Sequence, residues 1–136
     1  MKDATQGVLA AVVLKIDFAS PEATIQSFCD VDDHLTSLLT TKTAELCDAK
    51  LSHDKTRANA EVAIRNAAAS SGNKVTEGYV SALIDKDDDV GGTRAKSDRL
   101  ECEVSSLRAA IASLERKHSL FKNWLAGQRP IGLNER

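Results

Sequence analysis

Apolar residues recur at Leu100, Val104, Leu107, Ile111, Leu114, Phe121 and Leu125, in steps of four, three, four, three, seven and four. His118 occupies the position that the step of seven passes over. This is a 4-3 heptad seam, and the residues between are mostly polar or charged: Glu101, Glu103, Arg108, Glu115, Arg116, Lys117 and Lys122. The spacing predicts a long amphipathic helix. Its narrow apolar stripe needs a partner, supplied by the rest of the chain or by a second copy.

A leaner seam precedes it. From Leu35 to Ala69 there is neither Gly nor Pro, and Leu35, Leu39, Leu46, Ala49, His53, Ala60, Ala63 and Ala67 share one side at heptad spacing, interrupted by Lys42 and Thr56. Alanines at 58, 60, 63, 67, 68 and 69 keep the second half slim and favour helix.

The punctuation between these seams sets the expected boundaries. Ser20, Pro21 and Glu22 form a helix start, with Ser as cap, Pro at the first helical position and Glu at the positive end of the dipole. A short helix to about Cys29 follows, and Asp30–Asp33 can cap a second, much longer helix. Ser70, Ser71, Gly72 and Asn73 then break it. Thr76 starts the next helix, with Val75 as a staple residue and Glu77 in the first turn. That helix is expected to run to about Ala126, weakened at Gly91–Gly92, which together cost about 2 kcal/mol relative to alanines. Gly127, Arg129 and Pro130 end it. Ahead of all this, Asp3–Val13 reads as a short helix and the alternation over Val12–Phe18 as a short extended segment.

The expected fold is therefore all-α: one domain, with short N-terminal helices and an extended segment over 1–30, a long antiparallel helical hairpin with coiled-coil-like packing over 31–129 and its turn near 70–75, and a loose tail over 130–136.

Composition agrees with slender helices. Among 136 residues the aromatics are Phe18, Phe28, Tyr79, Phe121 and Trp124. Eighteen basic and 20 acidic side chains leave a net charge of −2, which does not announce a nucleic-acid binder. Charge is segregated, however. Asp17, Glu22, Asp30, Asp32 and Asp33 lie in a stretch without Lys or Arg, whereas Arg108, Arg116, Lys117, Lys122 and Arg129 share theirs with Glu115 alone. The basic end can face an anionic polymer, or the two ends can meet between subunits.

Catalytic and metal-binding motifs are missing. Cys29, Cys47 and Cys102 are widely spaced and odd in number, which argues against a disulfide framework or a zinc site and for a reducing interior. Val8–Leu14 is too short to span a bilayer and, with Asp3 before it and Lys15 after it, makes a poor signal sequence. The aspartates from Asp85 to Asp89 fail a calcium loop on spacing. Counted from Asp85, the glycine position holds Val90; counted from Asp87, Gly91 occupies a ligand position. His34, His53 and His118 are isolated, and no phosphate loop or nucleophile elbow occurs. The expectation is a protein without enzymatic activity, cofactor or metal.

The order of a long polar helix, a small-residue turn, "KVTEGYVSALIDKD" and a heptad helix "RLECEVSSLRAAIASLERKHSLFKNWLAGQR", preceded by "LKIDF", resembles the UvsY-like recombination mediators of tailed phages. The resemblance covers about Lys15 to Arg129. It implies a homo-oligomer in the cytoplasm of an infected bacterial host that binds single-stranded DNA, contacts the phage recombinase and single-strand binding protein, and helps the first replace the second. It places DNA contacts at Lys50, Lys55, Arg57 and Arg65 on the first long helix and at Arg116, Lys117 and Lys122 on the last. Lys50, Arg57 and Arg65 step by seven and eight, so they share one side. The chain departs from the family in a less basic, less aromatic first helix and in Gly91–Gly92. The rival reading is a helical interaction module, an inhibitor or structural adaptor, that binds protein and no DNA.

Overall fold

A computed structural model describes residues 13–72 and 74–128. The fold is all-α, a helical hairpin whose two long helices pack against each other. Helix α1 spans Pro21–Ser70, α2 Glu77–Lys86 and α3 Asp88–Gly127. The helix expected over Asp3–Val13 lies almost wholly outside the described residues, as do Asn73, Arg129, Pro130 and the tail. Among the described residues no strand forms, and no helix is long and apolar enough to cross a membrane.

The short helix expected to end at Cys29 and the longer one expected from Asp30 are one helix of 50 residues. Asp30, Asp32 and Asp33 do not cap anything. Phe28, Val31 and Leu35 carry the apolar phase through the acidic stretch, Phe28 and Leu35 being buried, and no Gly or Pro interrupts it. Continuous burial of one face outweighs the local capping preference of three aspartates. Pro21 is the first helical residue, as its fixed φ and missing N–H favour.

The segment before α1 is irregular rather than a strand, and α1 itself holds it. Lys15 N donates to Ser27 Oγ at 2.8 Å, and Asp17 N donates to Thr24 Oγ1 at 2.9 Å. The Thr24 hydroxyl donates back to the Asp17 carbonyl at 2.9 Å. Thr24 is fully buried, so its hydroxyl needs these partners.

Gly72 adopts φ 71° just beyond α1, where a left-handed residue closes the helix and glycine carries no Cβ penalty. Thr76 Oγ1 accepts from Tyr79 N at 3.2 Å and starts α2. Val75 packs with the cluster that includes Val80, the contact expected of a hydrophobic staple.

The break between α2 and α3 falls at Asp87, not at the glycines. Asp87 leaves helical geometry with ψ 125°, and its Oδ1 accepts from Asp89 N at 2.9 Å and Val90 N at 3.1 Å. An aspartate satisfies two orphan donors of a new helix, whereas glycine only lowers the cost of leaving an old one. Gly91 and Gly92 are ordinary residues near the start of α3.

The chain divides into two compact units, one comprising Met1–Thr40 and Ser105–Arg136, the other Thr41–Val104. In the first, Phe28 and Leu35 of α1 form a core with Leu107, Leu114 and Phe121 of α3. Phe28 stacks on His118, ring centroids 4.6 Å apart, and meets Phe121 at 6.0 Å. In the second, Val80, Ile84 and Val90 pack with Ala60, Ile64 and Val75. Leu100 and Val104 are buried there too. Pairing of Lys42 with Glu103 and of His53 with Thr93 shows the two helices running antiparallel in this unit. The heptad seam of α3 thus finds its partner within its own chain.

The lean seam drifts. Ala60, Ile64 and Ala68 face inward in α1, while Ala63 and Ala67 are exposed. A straight α-helix departs from a seven-residue repeat by about 20° per heptad, so roughly 80° accumulates over the four heptads from Leu35 to Ala63.

Candidate nucleic-acid interface

The row of cations on α1 is largely neutralised by acids. Lys50 Nζ lies 3.0 Å from Glu101 Oε1. Arg65 bonds both carboxylate oxygens of Glu77 at 2.9 Å and Glu61 Oε1 at 3.0 Å. Hydrogen bonds to Glu77, then to Glu61, hold its guanidinium above its usual range. Of the three cations that step by seven and eight along α1, Lys50 and Arg65 are engaged by carboxylates. Arg57 is exposed and has no ion pair among the described residues, and neither has Lys55, which stands off that line.

Lys42, which interrupts the lean seam in the sequence, is a structural cation. Its ammonium lies 3.2 Å from Glu103 Oε2 and 3.4 Å from Glu45 Oε2. The adjacent Glu103 carboxylate, partly opposed by burial, raises its pKa. Sequence reading missed this pair because its members lie 61 positions apart in the chain, and only antiparallel packing brings them together. His53 is likewise structural, its Nδ1 lying 2.8 Å from Thr93 Oγ1.

The basic end of α3 differs. Arg116, Lys117 and Lys122 are exposed, and none has an ion pair among the described residues. The acids Asp30, Asp32 and Asp33 belong to the same unit, and among the described residues none forms an ion pair with these cations. His118 registers both. Burial chiefly, and Lys122 secondarily, lower its pKa, while Asp32 opposes them. Its Nε2 is buried without a partner and its ring is stacked on Phe28. A histidine kept neutral by the fold binds fewer protons than in the unfolded chain. The stability it contributes is complete above the ordinary histidine value of about 6.5 and is lost as pH falls through the lowered folded value. The urea midpoint should therefore fall between pH 7.5 and pH 5, and more steeply than in His118→Leu. Parallel pH profiles for the two proteins would show that His118 does not control this loss.

Beside these cations lies an apolar surface that the sequence alone did not single out. Leu120 is 68 % exposed, one turn from Arg116 and Lys117 on one side and from Trp124 on the other. Phe18, 60 % exposed, sets its ring edge-on to Trp124 with centroids 4.6 Å apart. Trp124 also stacks on Phe121 at 5.6 Å, so it packs at the edge of the seam, as its place beside Phe121 and Leu125 suggests. The remaining seam residues, Ile111 and Leu125, are half-buried. No protein-family model, curated protein or solved structure matches this chain.

Proposed function

We propose that this protein is a recombination mediator of the UvsY-like kind, which holds single-stranded DNA by its phosphates and helps a recombinase replace a single-strand binding protein in the cytoplasm of an infected bacterium. The observation that carries the reading is the exposed set Arg116, Lys117 and Lys122 at one end of α3, none of which has an ion pair among the described residues. Cations left unpaired beside aromatic side chains suit a flexible polyanion, and they need not read sequence. The segments that carry the resemblance support it further, since Thr76 caps a helix and the heptad run buries its seam. Lys55 and Arg57 are secondary contacts, and Lys50 and Arg65 contribute least because carboxylates already hold them. A homo-oligomer would repeat each weak contact and raise avidity through effective concentration.

Three phosphate contacts to a single strand give a salt slope of about −2, so affinity should fall roughly 20-fold between 50 and 200 mM salt. A fluorescence-anisotropy titration of a labelled oligonucleotide reads this directly. Replacing Arg116, Lys117 and Lys122 with alanine should flatten the slope, and replacing Lys50 and Arg65 should change it little. The ion pairs of Lys50 and Arg65, with the net charge of −2, favour a second reading, a helical adaptor or inhibitor that binds protein. Absence of oligonucleotide binding at low salt would decide for it.

A further inference from the structure

Three features converge on one side of the first unit: two cations, an exposed leucine and an aromatic pair. Arg116 and Lys117 lie four and three residues before Leu120 on α3, and Trp124 lies four after it, so all three neighbour Leu120 on one side of the helix. Lys122 lies outside this stripe. Phe18 reaches the same stripe from the segment ahead of α1, which the Thr24 and Ser27 hydroxyls fix in place. That anchorage positions a ring whose own burial is slight.

Most apolar side chains of this unit go into the core around Phe28 and Leu107. Phe18 and Leu120 do not, and an aromatic held out to solvent beside arginine and lysine has the composition of a surface that stacks bases while cations track the backbone. The indole of Trp124 stands between core and surface, with Phe121 on one side and Phe18 against it. We propose that this stripe is a base-stacking platform for single-stranded nucleic acid: Phe18 and the exposed part of Trp124 receive bases, Leu120 extends the apolar floor, and Arg116 and Lys117 hold the adjoining phosphates. The platform rests on the DNA-binding reading above and goes beyond it, because phosphate contacts alone require no aromatic group.

Trp124 is the sole tryptophan of the chain, so its emission reports this place and no other. The full-length protein is titrated with an oligothymidylate and with an abasic sugar-phosphate strand of equal length. Anisotropy reports binding of each, and indole fluorescence reports stacking. Both strands should bind, and only the thymidylate should quench Trp124. Phe18→Ala should weaken thymidylate binding roughly 5- to 100-fold and leave the abasic strand within about twofold. The exposure of Phe18 makes misfolding of that variant a small risk. Leu120→Ser, at a position even more exposed than Phe18, provides a second variant with the same expected direction. Salt-sensitive thymidylate binding with unchanged Trp124 emission, or with equal affinity in Phe18→Ala and Leu120→Ser, would overturn the platform and leave the phosphate-binding function standing. If neither strand binds at low salt, both readings fall together.

Discussion

Leu107→Asp should abolish the folded hairpin at 25 °C. Leu107 is 2 % exposed and belongs to the core formed with Phe28, Leu35, Leu114 and Phe121. Truncating a buried leucine to alanine costs about 2–5 kcal/mol, from lost transfer energy and the cavity left behind. Aspartate adds the desolvation of a carboxylate that finds no cation inside this core, a further cost of several kcal/mol even after relaxation. The sum is comparable to the roughly 5–15 kcal/mol that holds an ordinary domain together. Far-ultraviolet circular dichroism should show helix content lost and no cooperative melt. Leu107→Ala should remain folded with a lowered midpoint, and Leu120→Asp, at an exposed position, should melt almost as the parent does. A Leu107→Asp protein that melts like the parent would mean that the seam does not pack as described. Because Phe28 and Leu35 of the same chain fill this seam, any assembly of copies has to use other faces.

The seam itself was legible in the sequence because its residues are large and their spacing is regular over several heptads. Leu100, Val104, Leu107, Leu114 and Phe121 are all buried. The alanine-rich half of α1 was less legible. Ala60, Ala63, Ala67 and Ala68 are chemically alike, so only the cumulative drift of the helix decides which of them face inward, and a strict heptad count chose two that are exposed. Helix boundaries followed the same logic. Gly72 and Thr76 act through their own backbone or hydroxyl and could be read locally. Asp30–Asp33 and Asp87 offer the same capping chemistry, yet only Asp87 caps, because buried Phe28 and Leu35 flank the first group and keep the helix continuous. Among the proposed DNA contacts, the spacing of Lys50, Arg57 and Arg65 was readable, but the ion pairs that engage Lys50 and Arg65 were not. The carboxylate of Glu101 that engages Lys50 comes from α3, and no local pattern announces it. Phe18 and Leu120 were invisible as surface features for the same reason. Exposure of an apolar side chain depends on what the other helix leaves uncovered.

Gly91→Ala combined with Gly92→Ala should stabilise the protein by about 2 kcal/mol, the opposite of what a functional hinge at the pair would give. Both residues lie within α3 with helical backbone, and neither has a positive φ. A Cβ added at either position meets nothing within 4 Å. Alanine therefore creates no clash, and it removes conformational freedom from the unfolded chain that glycine retains there. Each replacement is worth about 0.8–1 kcal/mol in a helix, less if the first turn frays. The two effects should add, since neither side chain would touch a shared neighbour. The melting temperature should rise by roughly 5–10 °C, read by thermal circular dichroism alongside a urea titration. Asp87→Ala supplies the contrasting arm. It removes the acceptor of the Asp89 and Val90 amides and should destabilise by about 1 kcal/mol. If the double alanine variant instead lowers the midpoint, or raises it while abolishing oligonucleotide binding, flexibility at Gly91–Gly92 is required. In that event the break at Asp87 would not be the only joint the chain uses.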